Sequence, residues 1–160
     1  MKEVKLETTL TVYEDIHELP KDIQQLMEKS VEARKKAYAP YSNFHVGTAI
    51  LLENGEIVTG SNQENASYPS GLCAERTAIY YAGAQYPNVK ILRMALTAAS
   101  QNQVTKKPIP PCGACRQAIA EYETKQDQPI EIYFMGAEGK VVKSYSLANL
   151  LPLIFESSVL

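Results

Sequence analysis

The three cysteines of this 160-residue chain stand in two short motifs that lie far apart in the sequence. Residues 73–76 read CAER, and residues 111–115 read PCGAC. Cysteine thiolates are common zinc ligands, and one zinc ion bound by all three would require the two motifs to meet in the fold. Three protein ligands leave one zinc position open, which is typical of a catalytic site, because structural sites have four protein ligands.

Both motifs are expected to begin helices. Pro111 is favoured in a first helical turn, and residues 112–122 contain no further proline. Cys73 opens a stretch of apolar periodicity that runs to about residue 84. Cys112 and Cys115 are three residues apart, so a helix would project them from one face. Because a helix N-terminus stabilises thiolates, we expect these three cysteines to bind one zinc ion.

Glu75 is the candidate general acid and base. A residue at i+2 points about 200° away from residue i on a helix, so Glu75 should not be a fourth ligand beside Cys73. In the first turn, however, its side chain can curl over the helix end toward the open zinc position. Arg76, at i+3, falls near the Cys73 face, where its guanidinium would bond the sulfurs and withdraw charge from the site.

Other interpretations of the cysteines are available. Taken alone, Cys112 and Cys115 would also fit a redox pair or half of a structural zinc site. A structural site would need a fourth ligand, and the histidines, His17 and His45, lie in a polar N-terminal segment and a strand-like run, so we expect neither to be a ligand. A redox pair leaves the CAE sequence at 73–75 unexplained.

The chain resembles the small zinc-dependent cytidine deaminases, the homotetrameric type with three cysteine ligands, from about residue 19 to residue 155. Five blocks carry the resemblance and occur in the family's order: YSNFHVG at 41–47, NQENASYP at 62–69, GLCAER at 71–76, PCGACRQ at 111–117 and LLPLIF at 150–155.

The resemblance implies hydrolytic deamination of cytidine and deoxycytidine to uridine and deoxyuridine, with release of ammonia, in pyrimidine salvage. A water activated by zinc attacks C4 of cytosine, while Glu75 moves protons to N3 and to the leaving amine. It also implies one zinc ion per chain, a small nucleoside as substrate, and a homotetramer whose sites are completed across subunit interfaces.

Substrate-binding residues are expected in the other blocks. Asn62 and Glu64 follow a predicted strand and would share a face, and in the family the matching pair holds the ribose. Phe44 resembles the aromatic residue that lines the pyrimidine pocket, and Phe155 resembles the one that reaches into a neighbouring subunit's site. Tyr68 is expected to border the pocket.

By sequence alone, these residues also have ordinary structural interpretations. Asn62 and Glu64 would fit a polar surface loop. Phe44 would fit core packing within a strand, and Phe155 would fit the end of an amphipathic tail.

Composition limits the partners. The net charge is −2, from 16 basic and 18 acidic residues, and the longest basic run is the three residues Arg34-Lys35-Lys36, which disfavours nucleic acid as a partner. No apolar stretch approaches the roughly 20 residues of a membrane helix, and the N-terminus lacks the apolar core of a signal peptide. Three cysteines kept as thiolates fit a reducing cytoplasm.

The coarse pattern predicts one α/β domain over residues 19–160, built as a three-layer α/β/α sandwich around a five-stranded mixed sheet. The first helix is predicted over residues 20–38 and a short C-terminal helix from about Ser146. The strands are predicted at 44–52, 56–60, 90–97, 130–135 and 140–145, with an Asn54-Gly55 hairpin between the first two. Residues 1–18 precede the family's usual start, and the sequence is compatible with an extra strand, an interface arm or a disordered segment there.

Two residues depart from the family's common pattern. Thr48 stands where alanine is frequent. Pro110 stands where a small polar residue is common, and it removes a backbone N–H near the metal loop.

The alternatives to a nucleoside deaminase are a deaminase of a cytosine-bearing antibiotic such as blasticidin S, a structural zinc module and a thiol redox protein.

Overall fold

The computed structural model describes residues 1–156; the last four positions of the expected domain, 157–160, lie outside it. A six-stranded mixed sheet is covered by helices on both faces, so the predicted three-layer architecture is confirmed. The strand order is β1-β6-β5-β4-β2-β3, with β4 and β5 parallel and the other neighbours antiparallel. The strands are β1 (Leu10–Tyr13), β2 (Phe44–Leu52), β3 (Ile57–Ser61), β4 (Ile91–Ser100), β5 (Glu131–Met135) and β6 (Val141–Ser144); the helices are α1 (Lys21–Arg34), α2 (Ala74–Gln85) and α3 (Gly113–Gln126).

The predicted count of five strands is wrong, because Leu10–Tyr13 forms a sixth strand that pairs antiparallel with β6. Leu10 and Val12 are 41% and 54% exposed, whereas the half-buried Tyr13 packs against the core on the α1 side. Backbone pairing with an open sheet edge holds this strand in place, and that interaction has little sequence signature.

The ends of two predicted helices also differ from the structure. The helix predicted over residues 20–38 ends at Arg34. The predicted C-terminal helix is a single 3-10 turn over Leu147–Asn149. Ser146 caps this turn by accepting a hydrogen bond from the backbone N–H of Ala148, as expected for a helix start, but the turn does not continue. The Asn54-Gly55 hairpin is confirmed, with Gly55 at a φ of +87°.

Two apolar cores lie on opposite faces of the sheet. One packs α2 and α3 against the sheet around Ile50, Leu96 and Ile119. The other packs α1 against the opposite face around Ala49 and Ala95. Neighbouring residues of β2 therefore face different layers, as strand alternation requires. Within residues 1–156, no helix is both long and apolar enough to cross a lipid bilayer.

Gly60 in β3 lets α2 approach the sheet closely. A Cβ atom at this position would lie 2.7 Å from the carbonyl oxygen of Ala74 and 2.7 Å from the amide nitrogen of Ala78. Both are backbone atoms of the first turns of α2, so no side-chain rotation can relieve the clash. Gly60 therefore sets the position of the N-terminus of α2.

We expect Gly60→Ala to push α2 off the sheet and to lower the free energy of unfolding by about 1–3 kcal/mol, the usual cost of overpacking. Urea unfolding measures this change. Gly113→Ala is the matched control, because a Cβ at Gly113 meets no described atom within 4 Å. Its stability should equal or exceed that of the parent, since alanine favours a helix. A Gly60→Ala protein as stable as the parent would contradict the close contact.

Candidate metal centre and adjoining cavity

The three cysteines meet between the N-termini of α2 and α3. Cys73 is the N-cap residue of α2 and Cys112 is the N-cap residue of α3, while Cys115 lies in the first turn of α3. The Sγ atoms of Cys73 and Cys112 are 3.8 Å apart, and those of Cys112 and Cys115 are 3.4 Å apart. All three sulfurs lie within 4.8 Å of one another. The predicted convergence of the two motifs is confirmed.

This geometry fits one zinc ion. Tetrahedral zinc with Zn–S bonds of about 2.3 Å places its sulfur ligands about 3.8 Å apart, close to the observed separations. Within residues 1–156, the only cluster of three potential metal ligands is Cys73, Cys112 and Cys115, so it includes neither His17 nor His45. Three thiolates without a fourth protein ligand leave one coordination position for a reactant.

The cysteine environment favours a thiolate at Cys73. A hydrogen bond from Cys115 is the largest cause that lowers the pKa of Cys73, to about 5, and Arg76 and Cys112 act in the same direction. The Nη2 atom of Arg76 lies 3.8 Å from the Cys73 sulfur and donates to it. The pKa of the buried Cys115 is raised because it keeps the shared proton in its hydrogen bond to Cys73, with burial acting in the same direction. Arg76 therefore contacts the sulfur side of the site, as the sequence predicted.

Glu75 points inward and is only 4% exposed. Burial is the main cause that raises its pKa to about 7, and the negative charge of Cys73 adds to the effect. Arg76 and the Cys115 thiol partly oppose this rise. A carboxyl group with a pKa near neutrality can both accept and return a proton at little cost.

A cavity of about 440 Å³ adjoins the cysteine cluster, within the usual size range of small-molecule sites. Cys73 belongs to both the cluster and the cavity wall, and Arg76, which donates to the Cys73 sulfur, also lines the cavity. The full lining is Tyr41, Ser42, Asn62, Gln63, Glu64, Asn65, Tyr68, Gly71, Leu72, Cys73 and Arg76. A smaller cavity of about 250 Å³ lies at the opposite ends of α2 and α3, where no cysteine lines it.

Asn62 and Glu64 both line the larger cavity, as expected from their spacing. The Asn62 side chain is held at both ends of its amide: its Nδ2 donates to the carbonyl of Phe44 at 2.9 Å, and its Oδ1 accepts from the amide of Val46 at 2.8 Å. The intervening Gln63 pairs with Leu72 through two backbone hydrogen bonds of 2.9 Å. The segment after β3 is therefore held by isolated bridges at Gln63 and is not a loose polar loop.

Glu64 is fixed by residues that the sequence reasoning did not single out. Its carboxylate accepts hydrogen bonds from the backbone amides of Tyr41 at 2.9 Å and Ser42 at 3.3 Å, and from the Ser42 hydroxyl. The hydrogen bond from the Ser42 hydroxyl is the main cause that lowers the pKa of Glu64. The YSNFHVG block contains both donors, but a backbone donor carries no side-chain signal that could have identified it.

The aromatic candidates take different positions. Tyr68 lines the cavity and is exposed, and its ring lies 5.8 Å from that of Tyr41. Phe44 is half-buried at the start of β2 and is joined to the cavity through the amide of Asn62. Phe155 is 63% exposed and, within residues 1–156, is not part of its own chain's cavity lining. Its carbonyl accepts a hydrogen bond of 2.8 Å from Gln117 of α3.

Comparison with known proteins agrees with this geometry. Residues 20–127 match the family model described as the cytidine and deoxycytidylate deaminase zinc-binding region. The chain is 39% identical over 137 residues to the cytidine deaminase of Halalkalibacterium halodurans, covering 84% of this chain and 94% of that protein. It is 38% identical over 134 residues to the cytidine deaminase of Sporosarcina psychrophila, covering 84% and 91%.

Solved structures give the same result. The crystal structure of cytidine deaminase from Burkholderia pseudomallei superposes with a TM-score of 0.71 at 39% identity, covering 82% of this chain and 97% of that one. The structure of cytidine deaminase from Mycobacterium tuberculosis superposes with a TM-score of 0.65 at 31% identity, covering 84% and 97%.

Proposed function

The chain belongs to the cytidine and deoxycytidylate deaminase family, and from this premise we propose that it is a zinc-dependent hydrolase that converts cytidine and deoxycytidine to uridine and deoxyuridine and releases ammonia. One observation supports this most strongly. Three thiols arranged for a single zinc ion lie beside a buried carboxyl group, at the end of a cavity of nucleoside scale.

Cys73, Cys112 and Cys115 would hold the metal. The ion, when bound, lowers the pKa of a water molecule and so supplies the nucleophile that attacks C4 of the base. Three thiolates give the zinc centre a net charge of about −1, which works against that acidity. Arg76 offsets part of this charge through its hydrogen bond to the Cys73 sulfur.

Glu75 would move the protons. Its carboxylate would take one proton from the attacking water and deliver it to N3 of the ring. It would then take the second proton from the new C4 hydroxyl and deliver it to the amine, so that ammonia leaves and the C4 carbonyl forms. A pKa of about 7 suits both directions of transfer, because neither protonation state is strongly favoured at neutral pH. Burial of the side chain also keeps bulk water from competing for the proton.

Asn62 and Glu64 would bind the ribose. The Glu64 carboxylate retains acceptor capacity beyond its bonds to Tyr41 and Ser42, and the Asn62 amide retains one N–H beyond its bond to Phe44. One acceptor and one donor suit a sugar hydroxyl. Both groups are already oriented by the protein, so little ordering would be needed when the nucleoside binds.

Phe44 and Tyr68 would contact the nucleoside from two sides. The backbone carbonyl of Phe44 accepts a hydrogen bond from Asn62, which lines the cavity, and Tyr68 lines the cavity itself. We assign Phe44 to the pyrimidine and Tyr68 to the rim of the pocket, since aromatic rings stack on bases.

Phe155 would complete the site of a neighbouring subunit in a homotetramer. Its ring is exposed, although the backbone around it is anchored to α3 by Gln117. An anchored segment that presents an exposed aromatic ring is suited to enter a pocket on another copy.

The three cysteines form no disulfide, which supports a reducing cytoplasmic location, and the products support a role in pyrimidine salvage. Deamination of a cytosine-bearing antibiotic such as blasticidin S is the second candidate, because the same zinc and carboxylate chemistry would serve it. The ordered Asn62 and Glu64 pair favours a ribonucleoside.

We expect the zinc-loaded protein to deaminate both nucleosides and Glu75→Gln to lower kcat about a hundredfold or more, the lower range for a lost acid and base. Ultraviolet absorbance and ammonia release measure turnover on cytidine, deoxycytidine and blasticidin S. Zinc content should stay near one per chain in the variant. Activity on blasticidin S alone would show that the substrate is the antibiotic and not a nucleoside. Unchanged turnover by Glu75→Gln would refute the acid–base role of Glu75.

Arg76→Ala should reduce kcat roughly tenfold while zinc content stays near that of the parent, because a charge-assisted hydrogen bond to a ligand sulfur is lost. Arg76→Lys is the matched control and should retain more activity, since it keeps the positive charge. Metal analysis and steady-state kinetics on the same samples separate the two effects. Loss of zinc in proportion to activity would show that Arg76 supports metal binding instead.

Phe155→Ala should lower activity roughly tenfold. This corresponds to about 1.4 kcal/mol, which is the energy of one aromatic contact. Co-expression of Phe155→Ala chains with Glu75→Gln chains tests whether the ring acts across an interface. Mixed tetramers would then contain sites with an intact Glu75 from one chain and an intact Phe155 from its neighbour, so activity should exceed the sum of the two variants. Mixed assemblies with only additive activity would place Phe155 in its own chain's site.

A further inference from the structure

Arg116 of α3 joins the loop before Cys112 to the C-terminal segment, residues 150–156, which carries Phe155. Its Nε donates a hydrogen bond of 2.9 Å to the carbonyl of Pro111, and its Nη1 donates one of 2.9 Å to the carbonyl of Leu150. Pro111 is buried and directly precedes Cys112, a member of the cysteine cluster. One side chain therefore contacts both the metal loop and the C-terminal segment.

The position of Arg116 on its helix is electrostatically unfavourable. It lies four residues after the N-cap residue Cys112, and its backbone N–H donates to the Cys112 carbonyl at 2.9 Å. A cation this close to a helix N-terminus is disfavoured by the helix dipole. Within residues 1–156, no ion pair includes Arg116. The two carbonyl oxygens offset the cost instead, because hydrogen bonds from a charged donor are stronger than those between neutral groups.

The C-terminal segment has a second polar anchor on α3. Gln117, which follows Arg116, donates from Nε2 to the Phe155 carbonyl at 2.8 Å. Gln117 therefore bonds the segment at Phe155, whereas Arg116 bonds both the segment and the metal loop. Three apolar side chains of the segment also pack against the core under α2 and α3: Leu150, Leu151 and Ile154.

We propose that Arg116 is a positioning residue that couples zinc binding to the placement of the C-terminal segment. Zinc held by Cys112 would fix the Pro111 carbonyl, and the guanidinium oriented by that carbonyl would fix the carbonyl of Leu150. By linkage, an ordered segment would help to retain the metal to the same degree. A chain with its metal loop ordered would then hold Phe155 in place for the neighbouring site. The inference rests on the proposed function and deepens it.

Zinc affinity provides the first test. Arg116→Met keeps an apolar stem and removes both side-chain hydrogen bonds, so affinity measured by competition with a chelator should fall about tenfold, the lower range for a lost partner outside the ligand set. Gln117→Met is the matched control and should keep the parent affinity, because Gln117 bonds only the segment. Parent affinity in Arg116→Met, or an equal fall in Gln117→Met, would overturn the coupling.

Hydrogen exchange of residues 150–156, followed by mass spectrometry, tests the other end of the bridge. In the zinc-loaded proteins, exchange should be about three- to tenfold faster in Arg116→Met and in Gln117→Met than in the parent, the value of one lost hydrogen bond. Exchange at the parent rate in Arg116→Met would overturn the contact with Leu150.

Removal of zinc tests the coupling itself. In the parent, chelation should accelerate exchange of residues 150–156 more than exchange of β4, which serves as the internal reference for general loosening. In Arg116→Met this additional acceleration should be absent, since the bridge is already lost. An additional acceleration of equal size in the parent and in Arg116→Met would exclude transmission through Arg116.

Arg116→Lys is the milder variant and keeps the positive charge. A single ammonium nitrogen cannot occupy the Nε and Nη1 positions at once, so zinc affinity or exchange protection, or both, should stay at the Arg116→Met level. Recovery of both would show that charge alone suffices and would overturn the bridging role.

These measurements need no turnover, so they separate the coupling from the proposed function. A zinc-binding parent that shows the coupling but does not deaminate cytidine would refute the function and leave the coupling in place. An active parent whose Arg116→Met variant keeps its zinc affinity would refute the coupling and leave the function in place.

Discussion

The meeting of two helix N-termini is the constraint on which the rest of this structure depends. In the described chain neither Cys73 nor Cys112 caps its helix with a side-chain hydrogen bond, although both occupy the N-cap position. The helix dipoles and free backbone amides instead favour negative charge on the sulfurs. Placing these thiolates at van der Waals distance is unfavourable unless a cation binds them. Gly60 keeps α2 against the sheet, so the fold and the metal would stabilise the same arrangement.

In that arrangement, two neighbouring residues in the first turn of α2 have different roles. Arg76 turns toward the Cys73 sulfur, whereas Glu75 turns into the interior beside the buried Cys115. One residue therefore reduces the charge of the sulfur ligands, and its neighbour handles protons in a dry environment. Consecutive residues on a helix point about 100° apart, as follows from 3.6 residues per turn, so this division needs no backbone distortion. It explains why a short sequence, CAER, contains so much of the chemistry.

Much of the fold and of the candidate site could be predicted from the sequence, because the chemistry of particular side chains indicates them. The cysteine spacing predicted the metal cluster, and the Asn54-Gly55 pair and apolar runs predicted β2 with its correct bounds, Phe44–Leu52. The errors in the predicted fold arose where backbone interactions, and not side chains, determine the structure. Strand β1 is held by an open sheet edge and exposes its apolar residues Leu10 and Val12, so burial of side chains does not mark it in the sequence. The donors that fix Glu64 are mainly backbone amides, which every residue possesses.

The cavity is ordered before any ligand enters, but only in part. Asn62 is fastened to β2 at both ends of its amide, and Glu64 is fastened to the segment after α1, so the chain has already ordered the groups that face a sugar. Removing Asn62 would therefore disturb β2 as well as a ligand contact. Removing the Ser42 hydroxyl would loosen Glu64 and would also take away the acceptor of the Phe44 backbone amide. Phe155 is different, because its ring is exposed and meets no cavity within the described chain. If another copy supplies this ring, a competent site exists only in the assembly, and specific activity should fall as dilution dissociates it.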